Sequence, residues 1–423
     1  MLIRRAALAD GRLADIRVGE QITDVAPQLD RRRGEDEFDA DHGAVLPGLH
    51  DHHLHVRAAA AALRSVAVGP PRVNDAGQFA AALRSALPDA DGWVRAVGYH
   101  ESVAGDLDHA VLDRIVGSTP LRVQHRSGVL WFLNSAGLAR VGIAGHPDGR
   151  LRSDDRRWSA SLPRLQPDLA AFGALLTRYG VTGVTDATPD LQDAAALAAA
   201  LPVRLHALAP GKRILHDDEL DLDELTAWIT ARHADGVPVA LHCVTVPQLV
   251  VAVSALAAAG RQPRDRIEHA AMVPDDMVAD LVGVTVVTQP GFVAERGREY
   301  VADVPADEWP QLWRVATLQA AGVPVAGSTD APFGSPDPWA AMRAAVSRRT
   351  AAGIVLGERE SVTAATALAM FSGHAADPCR PRRIAPGEPG DLCVLGPPPD
   401  EALRALASDM VTATVVGGRL VHG

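Results

Sequence analysis

Short apolar runs alternate with alanine-rich stretches along most of this chain. Runs of this length predict strands, whereas the alanine-rich stretches between them predict helices. The clearest predicted strands are 181–186, 202–208, 238–242, 265–269, 285–289 and 324–330. Because strands that alternate with helices form parallel sheets, about eight such units within residues 47–379 predict a (β/α)8 TIM-type barrel, an α/β fold. An open, doubly wound sheet is the alternative, and it would spread the strand ends along a crevice.

The two ends of the chain have a different pattern, in which short strand-like segments are separated by glycine and aspartate. These segments are 2–6, 14–18 and 21–25 at the start, and 391–395, 411–416 and 420–422 at the end. Neither end has enough strands for a stable sheet on its own. The pattern therefore predicts one small β-sandwich that residues 1–46 and 380–423 form jointly.

Residues at about 70–165 do not follow the alternation of the barrel units. Here 93–101 and 121–125 have the pattern of strands, and 129–141 has the pattern of a helix. We expect this region to be a subdomain that is inserted early in the barrel, covers its open end and influences substrate choice.

Polar residues lie at or just after the ends of many predicted strands. They are His53, His55, Lys212, His242, His269, Gln289 and Asp330. Because the carboxyl ends of barrel strands meet at one mouth, where such proteins keep their active sites, we expect these side chains to gather there. Each has a plainer explanation when taken alone, such as a buried histidine, a surface Glu–His pair or a helix-capping aspartate.

His53 and His55 have the same strand parity, so both side chains project to one face. Two imidazoles held this close can ligate one divalent metal at the ~2.0–2.1 Å of a Zn–N bond. Metal-bound water has its pKa lowered towards ~7, which gives a hydroxide. Asp330 could take the proton of that hydroxide as it attacks and deliver it to a leaving nitrogen. The alternative is a solvated histidine-rich loop that binds no metal.

One residue stands out by composition. The chain has 41 basic residues, of which Lys212 alone is lysine and the other 40 are arginine. Arginine is always protonated, whereas a buried lysine can lose its proton and react. A neutral lysine amine that adds CO₂ becomes a carbamate, which can bridge two metals as a carboxylate does. Lys212 is therefore a candidate ligand. The alternative is that one lysine has remained in the sequence by chance and has no chemical role.

The overall composition excludes several classes of partner. A net charge of −11 and a pI near 5.8 argue against nucleic acid or an anionic membrane as the main partner. No apolar stretch is long enough for a transmembrane helix, and Cys243, Cys379 and Cys393 form no disulfide framework. No glycine-rich nucleotide motif occurs between a strand and a helix. We expect a cytoplasmic protein with a small-molecule substrate, and a homodimer is possible.

These residues carry a resemblance to a known family. The run Pro47-Gly48-Leu49-His50-Asp51-His52-His53-Leu54-His55 resembles the opening motif of the amidohydrolase superfamily. Arg266-Ile267-Glu268-His269-Ala270, Gly327-Ser328-Thr329-Asp330-Ala331-Pro332 and the glycine-rich tail after Pro386 are similar to its later motifs. The resemblance runs nearly end to end and is strongest to the branch that includes N-substituted formamide deformylases.

The resemblance implies a ligand set for two divalent metals, with zinc as the expected ion. His53, His55 and Asp330 would bind the first metal, His242 and His269 would bind the second, and carboxylated Lys212 would bridge them. Asp330 would also be the catalytic proton carrier. His125, His100 and Gln289 are candidates for holding substrate. Two positions differ from that branch: Val129 stands where a histidine is common, and Cys243-Val244 stands where many members have Gly-Asp.

The function implied is metal-dependent hydrolysis of a non-peptide C–N bond, such as an amide or formamide, in a small molecule. A lactonase, a cyclic imidase or a deaminase would use the same metals, so these activities stay open. A non-catalytic barrel that acts as a scaffold is the alternative from another class, and it predicts missing ligands.

Overall fold

The computed structural model describes residues 1–153, 155–162 and 167–423. The chain divides into two compact units: a main unit formed by Met1–Val56 and Leu169–Gly423, and an inserted unit formed by Arg57–Asp168. Among the described residues, no helix combines the length and the apolar character that crossing a bilayer requires.

The main unit begins with a series of strands. They are β1 (Leu2–Ala7), β2 (Leu13–Val18), β3 (Ile22–Ala26), β4 (Glu37–Asp39), β5 (Val45–Pro47) and β6 (Leu49–Leu54). The first four form a sheet in the order β3-β2-β1-β4. All six residues of β6 are buried, although three of them are histidines, so this strand places polar side chains inside the protein.

The inserted unit has its own sheet and helices. The helices are α1 (Val56–Ala62, which begins one residue before the unit), α2 (Ala76–Ser85), α3 (Glu101–Ala104), α4 (His109–Val116), α5 (Ser135–Arg140) and α6 (Arg156–Ser159). The strands are β7 (Val66–Ala67), β8 (Val94–Tyr99), β9 (Leu121–His125), β10 (Leu130–Leu133) and β11 (Arg150–Arg152), in the sheet order β11-β10-β9-β8-β7. Strands β7, β8 and β9 are parallel, and β10 is antiparallel to both of its neighbours.

The prediction of a single helix over 129–141 is wrong, because this segment divides into β10 and α5. The aromatic and apolar residues of β10 favour a pleated, paired strand. Asn134 then starts the helix, since its Oδ1 accepts hydrogen bonds from the backbone N–H groups of Gly137 and Leu121, both at 2.9 Å. The buried Asn134 side chain thus joins a strand to the first turn of a helix.

The rest of the main unit alternates strands and helices before returning to strands. The strands are β12 (Val181–Asp186), β13 (Arg204–Ala207), β14 (Lys212–Ile214), β15 (Ala240–Cys243), β16 (Arg266–His269), β17 (Thr285–Thr288), β18 (Val325–Gly327), β19 (Gly373–His374), β20 (Asp377–Pro381), β21 (Leu392–Leu395), β22 (Val411–Val416) and β23 (Arg419–His422). The helices are α7 (Leu169–Arg178), α8 (Ala194–Ala199), α9 (Leu222–Ala234), α10 (Val246–Ala259), α11 (Gly291–Glu295), α12 (Gly297–Asp303), α13 (Ala316–Ala320), α14 (Pro338–Ser347), α15 (Ala364–Ala369) and α16 (Pro399–Ala405). Short 3₁₀ helices occupy Asp217–Glu219, Asp275–Met277, Ala279–Leu281, Trp309–Gln311, Glu358–Glu360 and Ser408–Met410.

The parallel strands of the main unit form one three-stranded sheet, β13-β12-β6, and one five-stranded sheet, β14-β15-β16-β17-β18. Backbone hydrogen bonds connect the segment after the last of these strands to the first, from Asp330 N to His53 O at 2.9 Å and from His55 N to Ala331 O at 2.8 Å. The fold is therefore mixed α/β with parallel strands, and closure of all these strands into a (β/α)8 barrel stays a prediction.

Residues from both ends of the chain share one hydrophobic core. The sheet β3-β2-β1-β4 and the sheet β23-β22-β21-β5 contribute its buried side chains. Examples are Ile3, Ile16, Val394 and Val415. The two ends therefore depend on each other for the burial of apolar surface.

Candidate metal centre

His53, His55 and Asp330 form a compact group of potential ligands. His53 is the fifth residue of β6, His55 follows that strand, and Asp330 lies three residues after β18. The Nε2 atoms of both histidines are 3.6 Å from Oδ1 of Asp330. Ligand atoms around one tetrahedral zinc are separated by about 3.4 Å at ordinary bond lengths. The three side chains therefore have the spacing of ligands to one metal.

His242 and His269 extend this group along neighbouring strands. His242 is on β15 and His269 ends β16, and their ring centroids are 4.4 Å apart. The His269 ring is also 4.8 Å from that of His53. Burial, together with the nearby Lys212 charge, lowers the pKa of His55 to about 4 and that of His242 to about 3. The imidazoles are therefore neutral near pH 7, which is the form that binds metals.

Lys212 lies among these residues but not where the sequence predicts. It is the first residue of β14, whereas the prediction places it after the end of the preceding strand. Its side chain is buried, and burial lowers the pKa of its amine to about 8, an effect that Glu268 and Asp330 partly oppose. A buried amine with this pKa is partly neutral at physiological pH, as carbamate formation requires.

Two buried polar atoms at the centre of the group support occupation by cations. Within the described part of the chain, Lys212 Nζ and Asp330 Oδ1 have no hydrogen-bond partner. Burial raises the pKa of Asp330 to about 8, because the carboxylate has lost its hydration. A divalent metal would restore the charged form of Asp330, whereas it would repel a Lys212 ammonium. The residues present therefore fit a metal site in which the lysine is uncharged or carries a carbamate.

Sequence reasoning missed the carboxylate that orients His53. Glu268 is fully buried on β16 and pairs with both Arg266 and Nδ1 of His53. Arg266 also donates from Nη2 to the backbone oxygen of His52 at 2.7 Å. Because a carboxylate only accepts, His53 donates its Nδ1–H and keeps the Nε2 lone pair for a metal. The signal in the sequence was the equal parity of two charged residues, Arg266 and Glu268, on a predicted buried strand.

We expect Glu268→Gln to weaken zinc binding about 10–100-fold and to lower the free energy of unfolding by about 3 kcal/mol. Glutamine can still accept from His53, but it leaves the buried Arg266 charge without a counter-ion. Zinc competition with a chromophoric chelator and urea denaturation measure the two effects.

The matched control is Glu224→Gln, which removes the exposed partner of Arg213 at 2.9 Å. That change should alter stability by less than about 1 kcal/mol. Equal zinc affinity in the Glu268→Gln variant and the unaltered protein would mean that Glu268 does not orient His53.

Gln289 lies one residue beyond β17 and is buried beside His269. Its Oε1 is 2.8 Å from Nδ1 of His269, and its Nε2 donates to Oγ of Ser328 at 2.8 Å. The Gln289 amide thus orients the His269 ring through Nδ1 and leaves Nε2 of His269 available to bind a metal. A role for Gln289 in holding substrate stays a prediction.

His100 and His125 lie in the inserted unit, where they flank Glu101. His100 follows β8, and His125 ends the adjacent parallel strand β9. The structure therefore places these two candidates beside each other, and their role in holding substrate stays a prediction. Val129, at the position where a histidine is expected, is exposed.

Comparison with known proteins identifies the family of this chain. The model of a family described as "Amidohydrolase family" matches residues 36–422. A search of curated proteins found no match to this sequence.

Solved structures of several hydrolases have a similar fold. An uncharacterized metal-dependent hydrolase from Pyrococcus horikoshii OT3 has a TM-score of 0.67 at 16% identity, over 88% of this chain and 91% of that chain. Atrazine chlorohydrolase from Arthrobacter aurescens TC1, complexed with zinc, has a TM-score of 0.58 at 15% identity, over 100% and 95%. A 5-methylcytosine deaminase from Klebsiella pneumoniae has a TM-score of 0.55 at 15% identity, over 100% and 97%. At these identities the likeness is one of fold.

Proposed function

This chain belongs to the amidohydrolase family, and on that premise we propose that it is a metal-dependent hydrolase of a non-peptide C–N bond in a small molecule. The observation that carries the proposal is the gathering of neutral imidazoles, a buried lysine and a buried aspartate at one place in the main unit. These residues are His53, His55, Lys212, His242, His269 and Asp330.

The proposed ligands divide into two sets. His53, His55 and Asp330 would hold one divalent ion, and His242 and His269 would hold a second. Lys212 as a carbamate would reach both ions, since its buried amine lies near Asp330 and on the strand next to His242. Zinc suits this mixture of imidazole and carboxylate ligands, and the atrazine chlorohydrolase of similar fold is itself a zinc complex.

The chain's own residues would manage the protons of the reaction. Bound divalent ions supply a lowered pKa for water and polarise a substrate carbonyl. Asp330, whose Oδ1 lacks a hydrogen-bond partner among the described residues, would accept the proton of the attacking water and return it to the leaving nitrogen. Glu268 and Gln289 would hold the rings of His53 and His269 in the orientations that metal binding through Nε2 requires.

The proposal includes the finer architecture. The parallel strands of the main unit would close as a (β/α)8 barrel, because backbone hydrogen bonds connect the end of β18 to that of β6. Residues 1–46 and 380–423 would form a β-sandwich around their shared core. Barrel closure would place the proposed ligands at the mouth formed by the carboxyl ends of the strands.

The substrate we favour is an N-substituted formamide or a related small amide. The test is hydrolysis of N-aryl and N-alkyl formamides by the full chain, after chelation and again after zinc is restored. Liquid chromatography with mass spectrometry would follow release of the amine and of formate. We expect turnover only with metal, at least about 10³-fold above the metal-free protein.

The same assay separates the competing activities. Lactones, cyclic imides and amino-substituted heterocycles are tested in parallel, and faster turnover of one of these classes would replace the amide assignment. A zinc-loaded protein that hydrolyses none of the four classes would contradict the proposed function.

A further inference from the structure

A second group of potential metal ligands lies in the inserted unit, at the carboxyl ends of two parallel strands. His100 directly follows β8, His125 is the last residue of β9, and Glu101 opens the short helix α3. The strand register pairs Tyr99 with His125, and the backbone N–H of Arg126 donates to the backbone carbonyl oxygen of Tyr99 at 2.8 Å. The carboxyl ends of parallel strands are where α/β sheets bind ligands, so the sheet itself brings the imidazoles together.

The three side chains have the spacing of ligands to one cation. Oε2 of Glu101 is 3.1 Å from Nε2 of His125 and 3.7 Å from Nε2 of His100. These distances lie on either side of the about 3.4 Å expected between two ligand atoms on a tetrahedral zinc. The imidazole rings are stacked with centroids 5.8 Å apart, and both Nε2 atoms are near the same carboxylate oxygen.

Serine residues hold the opposite side of both rings. Oγ of Ser102 is 2.9 Å from Nδ1 of His100, and Oγ of Ser127 is 2.7 Å from Nδ1 of His125. A metal-binding histidine donates its second N–H to an oxygen, which fixes the ring and its tautomer. The repeated His-x-Ser spacing provides such an oxygen for each imidazole.

The backbone adds a condition on how a metal enters. The N–H groups of Ser102 and Ser127 also point at these Nδ1 atoms, at 3.2 Å, which favours a proton on Nε2 of the metal-free rings. A metal on Nε2 would require the proton of each ring to shift from Nε2 to Nδ1. The serine hydroxyl would then turn so that its oxygen accepts a hydrogen bond from Nδ1–H, and the backbone N–H would give up its bond to Nδ1. No oxidant, reductant or other reactant is needed for this exchange.

We propose that His100, Glu101 and His125 form a second metal site, distinct from the candidate centre of the main unit, for zinc or another borderline divalent cation. Two imidazoles and one carboxylate are a ligand set that Zn²⁺ accepts while keeping a position open for another ligand. The side chains of His100 and His125 are 19% and 16% exposed, so an ion can reach them from solvent. This role differs from the substrate contact that the sequence predicts for the two histidines.

Two other His–carboxylate pairs among the described residues of the inserted unit have a different arrangement. His146 lies 3.3 Å from Asp148, and His109 lies 3.7 Å from Asp113, each with one imidazole per carboxylate. In the described part of the whole chain, the one other group of three such ligands is His53, His55 and Asp330. His146 therefore offers a matched control for the loss of a single paired histidine.

The test counts zinc bound to the full chain by mass spectrometry after chelation, refilling with Zn²⁺ and gel filtration. We expect His100→Asn/His125→Asn to retain one zinc equivalent fewer than the unaltered protein, and His146→Asn to retain the same number. In a His53→Asn/His55→Asn variant, the equivalent assigned to the inserted unit should remain, because its ligands are unchanged.

Cobalt substitution adds a spectroscopic test. The visible absorption of the Co²⁺ protein should lose one component in the His100→Asn/His125→Asn variant. The same loss is expected in Glu101→Gln, which preserves the shape of the side chain and replaces the double variant if that variant does not fold. Equal zinc content and identical cobalt spectra in Glu101→Gln and the unaltered protein would overturn the second site. The His53→Asn/His55→Asn result reports separately on the proposed function.

Discussion

Asp330→Asn is expected to lower kcat/KM for amide hydrolysis by about 10³-fold, the range that loss of a positioned proton carrier produces. Asparagine preserves the shape of the side chain, but it can neither carry the charge that offsets a metal nor accept a proton from water. The effect should be large because Oδ1 is buried and the Nε2 atoms of His53 and His55 each lie 3.6 Å from it, so one ion could contact all three atoms.

Steady-state kinetics on the amide that the substrate survey identifies measure this loss, with zinc content determined on the same samples. The control is Asp276→Asn, an exposed aspartate of the main unit, which should leave both quantities unchanged. If Asp330→Asn retained full activity with full zinc, Asp330 would be neither a ligand nor the proton carrier.

Lys212→Arg is expected to remove one metal equivalent and to lower activity by at least about 10³-fold. Arginine keeps the positive charge but stays protonated, so it cannot form a carbamate. In the buried position of Lys212, a permanent cation would also repel the metals that its neighbours bind.

The single lysine makes this prediction unusually direct to test. Protein equilibrated with ¹³C-bicarbonate should show one carbamate carbon resonance that is absent from Lys212→Arg, alongside the metal count. Arg213→Lys, on the same strand, is the control, since its pairing with Glu224 is partly exposed and should tolerate the exchange. A Lys212→Arg protein with the same metal content as the unaltered protein and normal turnover would rule out the bridging role.

The polar residues at the ends of predicted strands were the most informative part of the sequence. His53, His55, His242 and His269 were identifiable because period-two patterning fixes which side chains share a face, and parallel strands end on one side of a sheet. The structure brings them together, with ring centroids of His53, His242 and His269 within 4.8 Å of their nearest neighbour. Their role as ligands rests on the tests above.

Other features depend on tertiary contacts that local patterns do not encode. The pairing of Glu268 with His53 joins residues far apart in sequence, so patterning alone left open whether Glu268 was a surface residue. The start of β14 at Lys212 depends on pairing with Ala240. The 129–141 segment misled because apolar residues over a short run fit a strand and a helix equally well.

Two unit boundaries show the same limit. The loss of the strand–helix alternation suggested an insertion at about 70–165, and the compact unit spans Arg57–Asp168. The additional residues include β7 and all of α1 except Val56, and β7 pairs with β8 in the sheet of that unit. Such a short strand has no recognisable pattern of its own and is defined by its partner.

The backbone bonds between the segments that carry His53, His55 and Asp330 have a thermodynamic consequence. A cation held across that junction would bind the folded protein and not the unfolded chain, so thermal unfolding would depend on the concentration of free metal. At a hundredfold excess over the dissociation constant, one ion adds about 2.7 kcal/mol by mass action. The melting temperature of this protein would therefore depend on the free metal concentration of the buffer as well as on the sequence. Protein purified with a chelator would unfold at a lower temperature.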